Sequence, residues 1–346
     1  MRNLCLTRTG IFRIAFAGLL LIFIGSACTQ SRVWVAAQDV LQFRGPDKNS
    51  IYQATDFNPA ALSGGAKISW QAALGNGYSA VTIRLGRLYT MGNAGRQDTV
   101  WCLSADNGSV IWKYSYDCRN NEYPGPRATP TLDGEMVYTL SSEGHLFCLK
   151  ATDGSVVWSK NLVRDFGAEA PNWTFAGSVV IDGDLLLLNA NKNGIVLNKK
   201  TGATVWSSKA GRGGYSTPVV FTVGKTRAMA LFGEETLLGV EIATGRVLWE
   251  YPWSTAYQVN AADPLVIGNT IFVTSGYSTG CAMFQFTESS IVKKWENDRM
   301  SAHFGSPVAY AGMIWGMDGN SGSSSAFQAL DPATGESRVR ESMRFG

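Results

Sequence analysis

The segments CLSADNGSVIW (102–112), CLKATDGSVVW (148–158), LNKKTGATVW (197–206) and VEIATGRVLW (240–249) are copies of one pattern. Their turn glycines, Gly108, Gly154, Gly202 and Gly245, lie 46, 48 and 43 residues apart, a period that fits a propeller blade and not a solenoid coil. In each copy an apolar stretch ends at Asp, Asn or Thr followed by Gly, and a second apolar run closes on Trp. Two strands joined by a tight turn explain this, because Gly tolerates the positive φ of the turn and β-branched residues suit a pleated surface. Trp112, Trp158, Trp206 and Trp249 supply one large ring per copy, expected to pack in the wedge between neighbouring sheets.

Upstream of the hairpins lie further strand pairs with their own turn signals: TPTLDGEMVYTLS (129–141), SVVIDGDLLLLNA (178–190) and DPLVIGNTIFVTS (263–275). Four short hairpin-linked strands per period make an antiparallel sheet, and a ring of such sheets is a β-propeller. A fifth unit has Thr287-Glu288-Ser289-Ser290 in place of the Gly turn but keeps Trp295. A sixth restores the turn at Asp331–Gly335 and has Val339 where Trp is expected. The fold class is therefore all-β, a propeller of four-stranded antiparallel blades with six units visible, expected to form one domain around one continuous core. Lys67-Ile68-Ser69-Trp70 reads as the last strand of a blade whose earlier strands do not precede it.

ADNGSVIW, ATDGSVVW, KKTGATVW and IATGRVLW resemble the repeat of the pyrroloquinoline-quinone (PQQ) type β-propellers. That repeat is shared by quinoprotein alcohol dehydrogenases, by outer-membrane assembly lipoproteins of the BamB type, and by exported bacterial PQQ-like repeat proteins. QFRGPDKNS (42–50), YPGPRATPTLDG (123–134) and GYSTPVV (214–220) look like segments of the last group. The resemblance covers roughly residues 40–343. It implies an eight-bladed ring, so the six units are read as an incomplete ring truncated at the C-terminus; the alternative is a smaller ring in which the strand of Trp70 joins the sixth sheet. The organisation expected is 1–27 signal peptide, 28–66 a segment leading to the propeller, and 67–346 the propeller.

Arg2, Arg8 and Arg13 flank or enter the apolar run Ile11–Ile24, and Gly25-Ser26-Ala27 follows, which reads as an export signal and not a permanent span. Cleavage after residue 27 makes Cys28 a candidate for lipidation; the other candidate is cleavage after Ala37. The chain is thus expected in the periplasm or associated with the outer membrane. Its formal charge of +3 owes four arginines to the first 37 residues, and the remainder carries 26 of the 30 basic residues against 27 acidic ones. Without clustered Lys and Arg a nucleic-acid partner is not expected. An envelope protein, a peptide or a polysaccharide is, with a membrane reached only through a lipid anchor.

The first strand of each unit should line a central channel, and the segments leading into those strands should crowd its mouth. They bring Tyr78, Arg127, Trp173, Tyr215, Asn260, Asp263 and His303 forward as candidate ligand-binding residues; the competing reading is that the rings plug the channel and the polar tips bond backbone there. Cys102 and Cys148 occupy equivalent strand positions and read as buried apolar residues, while Cys118 and Cys281 stand alone. Two histidines and no CxxC or HxxxH give no expectation of a metal site. The dehydrogenase branch of the resemblance implies PQQ held with Ca²⁺, a carboxylate base and adjacent cysteines. This sequence has no Cys-Cys pair, and Asp263 with Asn260 is the only carboxylate–amide pair among the lead-in segments. No catalytic residue and no cofactor are therefore expected. The function expected is a non-catalytic binding or assembly scaffold of the cell envelope, the alternatives being a PQQ-dependent dehydrogenase with calcium or a small-ligand-binding propeller.

Overall fold

The computed structural model describes residues 39–52, 58–119, 123–320 and 325–343. The segment read as an export signal, and Cys28, lie outside the described residues. Six four-stranded antiparallel sheets follow one another along the chain as blades, β1–β4 over 82–117, β5–β8 over 131–161, β9–β12 over 180–207, β13–β16 over 219–252, β17–β20 over 265–297 and β21–β24 over 308–343. Within each sheet every strand pairs with its neighbour in sequence, so all connections are hairpins. The first strands are β1 (Thr82–Arg84), β5 (Thr131–Asp133), β9 (Val180–Asp182), β13 (Val219–Val223), β17 (Leu265–Ile267) and β21 (Val308–Tyr310). They touch across blades along β1–β5–β9 and β13–β17–β21 and line the channel.

The last two strands of all six blades slip register at the same place. Cys102 faces Trp112 while Leu103 faces Val110, and the same slip recurs at Cys148/Leu149, Val196/Leu197, Gly239/Val240, Met283/Phe284 and Ala329/Leu330. Such a bulge turns the strand locally, and the residue just after it is the repeat Trp, or Val339 in the sixth blade.

That tryptophan reaches forward to the next blade. Trp112 Nε1 donates to the Ala151 carbonyl at 2.9 Å, Trp158 to Lys199 at 2.9 Å, Trp206 to Ile242 at 2.7 Å and Trp295 to Pro332 at 2.9 Å. The ring lies on the Gly of the next turn. A Cβ added to Gly154 would fall 2.6 Å from Trp112 Cε3, and Gly154 also has φ +75°, so two independent constraints select Gly there. Trp70 does the same for the first blade, resting on Gly108 and donating to the Ala105 carbonyl at 3.0 Å. The sequence reading took residues 67–70 as a strand; residues 66–75 have no ladder partner in the structure, and only the tryptophan contact remains of the expected blade.

Trp249 is the exception, because the blade after it lacks the Gly turn. Its ring lies over Gly239 of its own blade, with Phe221 and Phe286, and its buried Nε1 has no partner. Glu288 makes the link instead, its Oε1 accepting from Lys225 N and Thr226 Oγ1 at 3.3 Å. Buried apolar side chains gather in five clusters, each shared by two successive blades. The four inner sheets thus bury their two faces against different neighbours, and residues 38–346 form one compact unit. Among the described residues no helix is long and apolar enough to cross a membrane.

Candidate functional site at the channel mouth

Two residues ahead of every first strand lies one member of a belt: Ala80, Thr129, Ser178, Thr217, Asp263 and Ser306. Each backbone N–H donates to the side-chain oxygen of the next member, Ala80 to Thr129 (3.3 Å), Thr129 to Ser178 (2.9 Å), Ser178 to Thr217 (3.2 Å), Thr217 to Asp263 Oδ1 (2.8 Å) and Asp263 to Ser306 (2.9 Å). Residues 129, 217, 263 and 306 precede Pro, which holds them extended and removes one N–H from the channel wall. The belt satisfies backbone donors that would otherwise face an apolar channel unpaired.

Residues 39–52 occupy the channel. Val40 pairs antiparallel with Ile83 on the free edge of β1, and Leu41 accepts from Leu132 N of β5 at 2.7 Å. The chain then turns at Arg44 (φ +67°) and Gly45 (φ +82°), and the Arg44 guanidinium reaches the belt. It donates to the Pro307 carbonyl and to Ser50 Oγ and lies 3.8 Å from Asp263 Oδ2. Burial pushes the Asp263 carboxyl up to about 6, against the opposing pull of Arg44 and the Thr217 N–H. A cavity of about 470 Å³ remains beside this segment, walled by β13 and β17.

Tyr78, Arg127, Trp173 and Tyr215 form one run across the mouth. Arg127 lies 5.6 Å from the Tyr78 ring and donates to the carbonyls of Gly125 (3.0 Å) and Tyr123 (2.9 Å). Tyr123 meets Trp173 edge-on at 5.4 Å, and the Trp173 N–H donates to the Tyr215 hydroxyl at 3.2 Å. His303 stands apart, stacked on Phe304 at 3.7 Å with Tyr277 edge-on at 4.8 Å; burial pushes its pKa down. Asn260 is fully buried. Its amide donates to the carbonyls of Gly233, Glu234 and Trp253, and its oxygen accepts from Ser275 Oγ at 2.7 Å. The structure thus unites four of the seven candidates and places Asn260, Asp263 and His303 elsewhere.

Spacing along the chain did not show that Cys118, Glu143 and His145 meet. Cys118 follows β4 (Val110–Asp117), while Glu143 lies in the turn between β6 (Met136–Leu140) and β7 (His145–Lys150) and His145 opens β7. Sequence reasoning also missed the belt and Arg44; the signal for the belt was Ser, Thr or Asp before Pro just ahead of four first strands.

A family model described as outer membrane protein assembly factor BamB matches residues 55–159 and 96–340. The chain belongs to this PQQ-like repeat propeller family. The crystal structure of BamB from Moraxella catarrhalis is similar, at 18% identity and TM-score 0.58, covering 79% of this chain and 76% of that one. A europium-containing methanol dehydrogenase is similar at 14% identity and TM-score 0.54, covering 76% and 68%. At these identities the likeness shows the fold alone. No curated protein matches in sequence.

Membership in the PQQ-like family raises a test of the quinone–calcium pair. Calcium needs free oxygen ligands, and the carboxylate–amide pair offered is Asp263 with Asn260. Both ends of the Asn260 amide are engaged, Asp263 Oδ1 holds the Thr217 N–H, and Oδ2 faces the Arg44 cation. A divalent ion at Asp263 would meet the guanidinium at close range. These residues do not fit a calcium-bound quinone.

Proposed function

We propose that this chain is a non-catalytic binding scaffold of the cell envelope, presenting the mouth face of its propeller to a protein or peptide of outer-membrane assembly. The observation that carries this reading is the distribution of exposed aromatic rings. Tyr78 (60% exposed), Tyr123 (45%), Tyr257 (67%) and Phe304 (60%) all lie in segments that lead into first strands, so they share the mouth face. Behind them the polar groups of Asn260, Asp263 and Arg44 are spent on internal hydrogen bonds. Aromatic residues in an exposed group favour macromolecular contact, whereas turnover needs polar groups left free to meet a substrate. Family membership supports the envelope setting, since the matching family is described by outer-membrane protein assembly.

The test is site-specific photo-crosslinking in intact envelopes. A crosslinker at position 78, 257 or 304 should capture an assembly protein, and one at the exposed Leu85, in the turn at the far end of β1, should not. Equal capture from both faces, or dye reduction by the purified protein supplied with PQQ and Ca²⁺, would overturn the reading.

A further inference from the structure

The geometry points to a zinc site built by Cys118, Glu143 and His145 on the mouth face between the first and second blades. The ligand atoms of the three side chains all lie within 4.8 Å of one another. They represent the sulfur, nitrogen and oxygen donors that Zn²⁺ takes together, at bond lengths of about 2.0–2.3 Å, with water completing a tetrahedron.

The surroundings hold each donor. The Cys118 N–H donates to the Arg96 carbonyl at 3.0 Å, and its own carbonyl accepts from Asn93 Nδ2 at 3.3 Å. In the β6–β7 turn, Ser141 Oγ accepts from Glu143 N (3.2 Å) and His145 N (2.9 Å) and lies 3.1 Å from His145 Nδ1. One hydroxyl therefore fixes both the turn and the imidazole. Such outer contacts are what a metal centre needs to keep its ligands oriented.

Charge gives an independent argument. Asp98 is fully buried beside Cys118, with Asn93 Nδ2 at 2.7 Å and the Tyr116 hydroxyl at 3.5 Å. Among the described residues it forms no ion pair with Lys or Arg. Among the described residues Glu143 pairs with the exposed Arg119 guanidinium at 4.0 Å. A buried carboxylate in no ion pair with Lys or Arg is costly, and a divalent cation on the Cys118 side of the pocket adds positive charge beside it. On binding, the Cys118 S–H bond breaks, the S–Zn bond forms and the proton leaves to solvent. The ion would link the loop after β4 to the β6–β7 turn, two segments otherwise joined only by non-covalent contacts.

The experiment uses the whole mature protein, kept reduced, stripped with a chelator and titrated with Zn²⁺, then with Co²⁺. Wild type should retain one equivalent of zinc after dialysis, gain in melting temperature, and show a thiolate-to-cobalt charge-transfer band. Cys118→Ser should lose the band, and His145→Ala and Glu143→Gln should each weaken retention at least about tenfold. If Cys118→Ser does not fold, Glu143→Gln, at a half-exposed turn position, decides by retention alone. No retained zinc in wild type, or retention unchanged in the variants, overturns the site.

Discussion

The guanidinium of Arg44 lies 3.8 Å from the carboxylate of Asp263, and neither side chain is more than 5% exposed. One partner comes from the segment inside the channel and the other from the belt around it, so the pair joins the plug to the wall. Breaking a buried pair by removing one member is more costly than removing both, because a lone charge is left in a poorly solvated place. Arg44→Met should lower stability at pH 7 by about 3–5 kcal/mol, and the double variant with Asp263→Asn should recover part of that. Urea unfolding of the four proteins checks the order.

The same carboxyl sets a pH dependence. Its folded pKa of about 6 lies above the ordinary value of 3.8, so between those limits the folded state holds a proton that the unfolded state has lost. The Asp263 contribution is therefore fully present below pH 3.8 and is lost as pH rises through 6, by up to about 1.4 kcal/mol per pH unit. Relative to Asp263→Asn, wild type should lose stability from pH 4 to 6 and run parallel above pH 7. A difference that grows with pH in the opposite sense would contradict it.

Gly154 and Gly268 separate backbone strain from crowding. Both have positive φ, but a Cβ at Gly268 meets nothing within 4 Å while one at Gly154 meets the Trp112 ring. Replacing either by Ala carries the left-handed penalty of about 1–2 kcal/mol. Gly154→Ala should cost a further 1–3 kcal/mol or so from overpacking, seen as the larger fall in melting temperature.

Trp158 and Trp249 offer a matched comparison of a paired and an unpaired indole. Trp158→Phe removes the bond to the Lys199 carbonyl and should cost about 1 kcal/mol beyond its lost volume. Trp249→Phe removes a buried N–H that has no partner, and so lacks that extra cost. Thermal unfolding of the two variants gives the difference directly.

The blades were legible because each is specified locally: a Gly turn, alternating strands and a Trp within a single period. Even the weak fifth unit was readable, since Thr287–Ser290 visibly lacked the Gly that Trp249 would have covered. The mouth was only half legible. Proximity to a first strand pointed to Tyr78, Arg127, Trp173 and Tyr215, which lie in one run, but gave no sign of the burial of Asn260, which depends on the Gly233 and Glu234 carbonyls of the preceding blade and on Trp253 of its own segment. Arg44 and the Cys118–Glu143–His145 group escaped for the same reason. Their partners follow no short spacing rule, so only the packing of blades brings them together.

Two sets of links between blades run in one direction. Belt N–H groups and the indoles of Trp112, Trp158, Trp206 and Trp295 donate forward, from one blade to the next, and Ala80 at the start of the belt has no side-chain oxygen to receive a bond. The molecule therefore carries a vectorial order that matches the direction in which the chain emerges. Trp112, Trp158 and Trp206 each stay uncovered until the succeeding turn glycine arrives beneath the ring, so structure should spread from the amino-terminal side by successive docking. Hydrogen exchange on chains shortened after 161 and 207 should show the blade nearest each new end losing protection first, with Trp158 or Trp206 newly open to solvent.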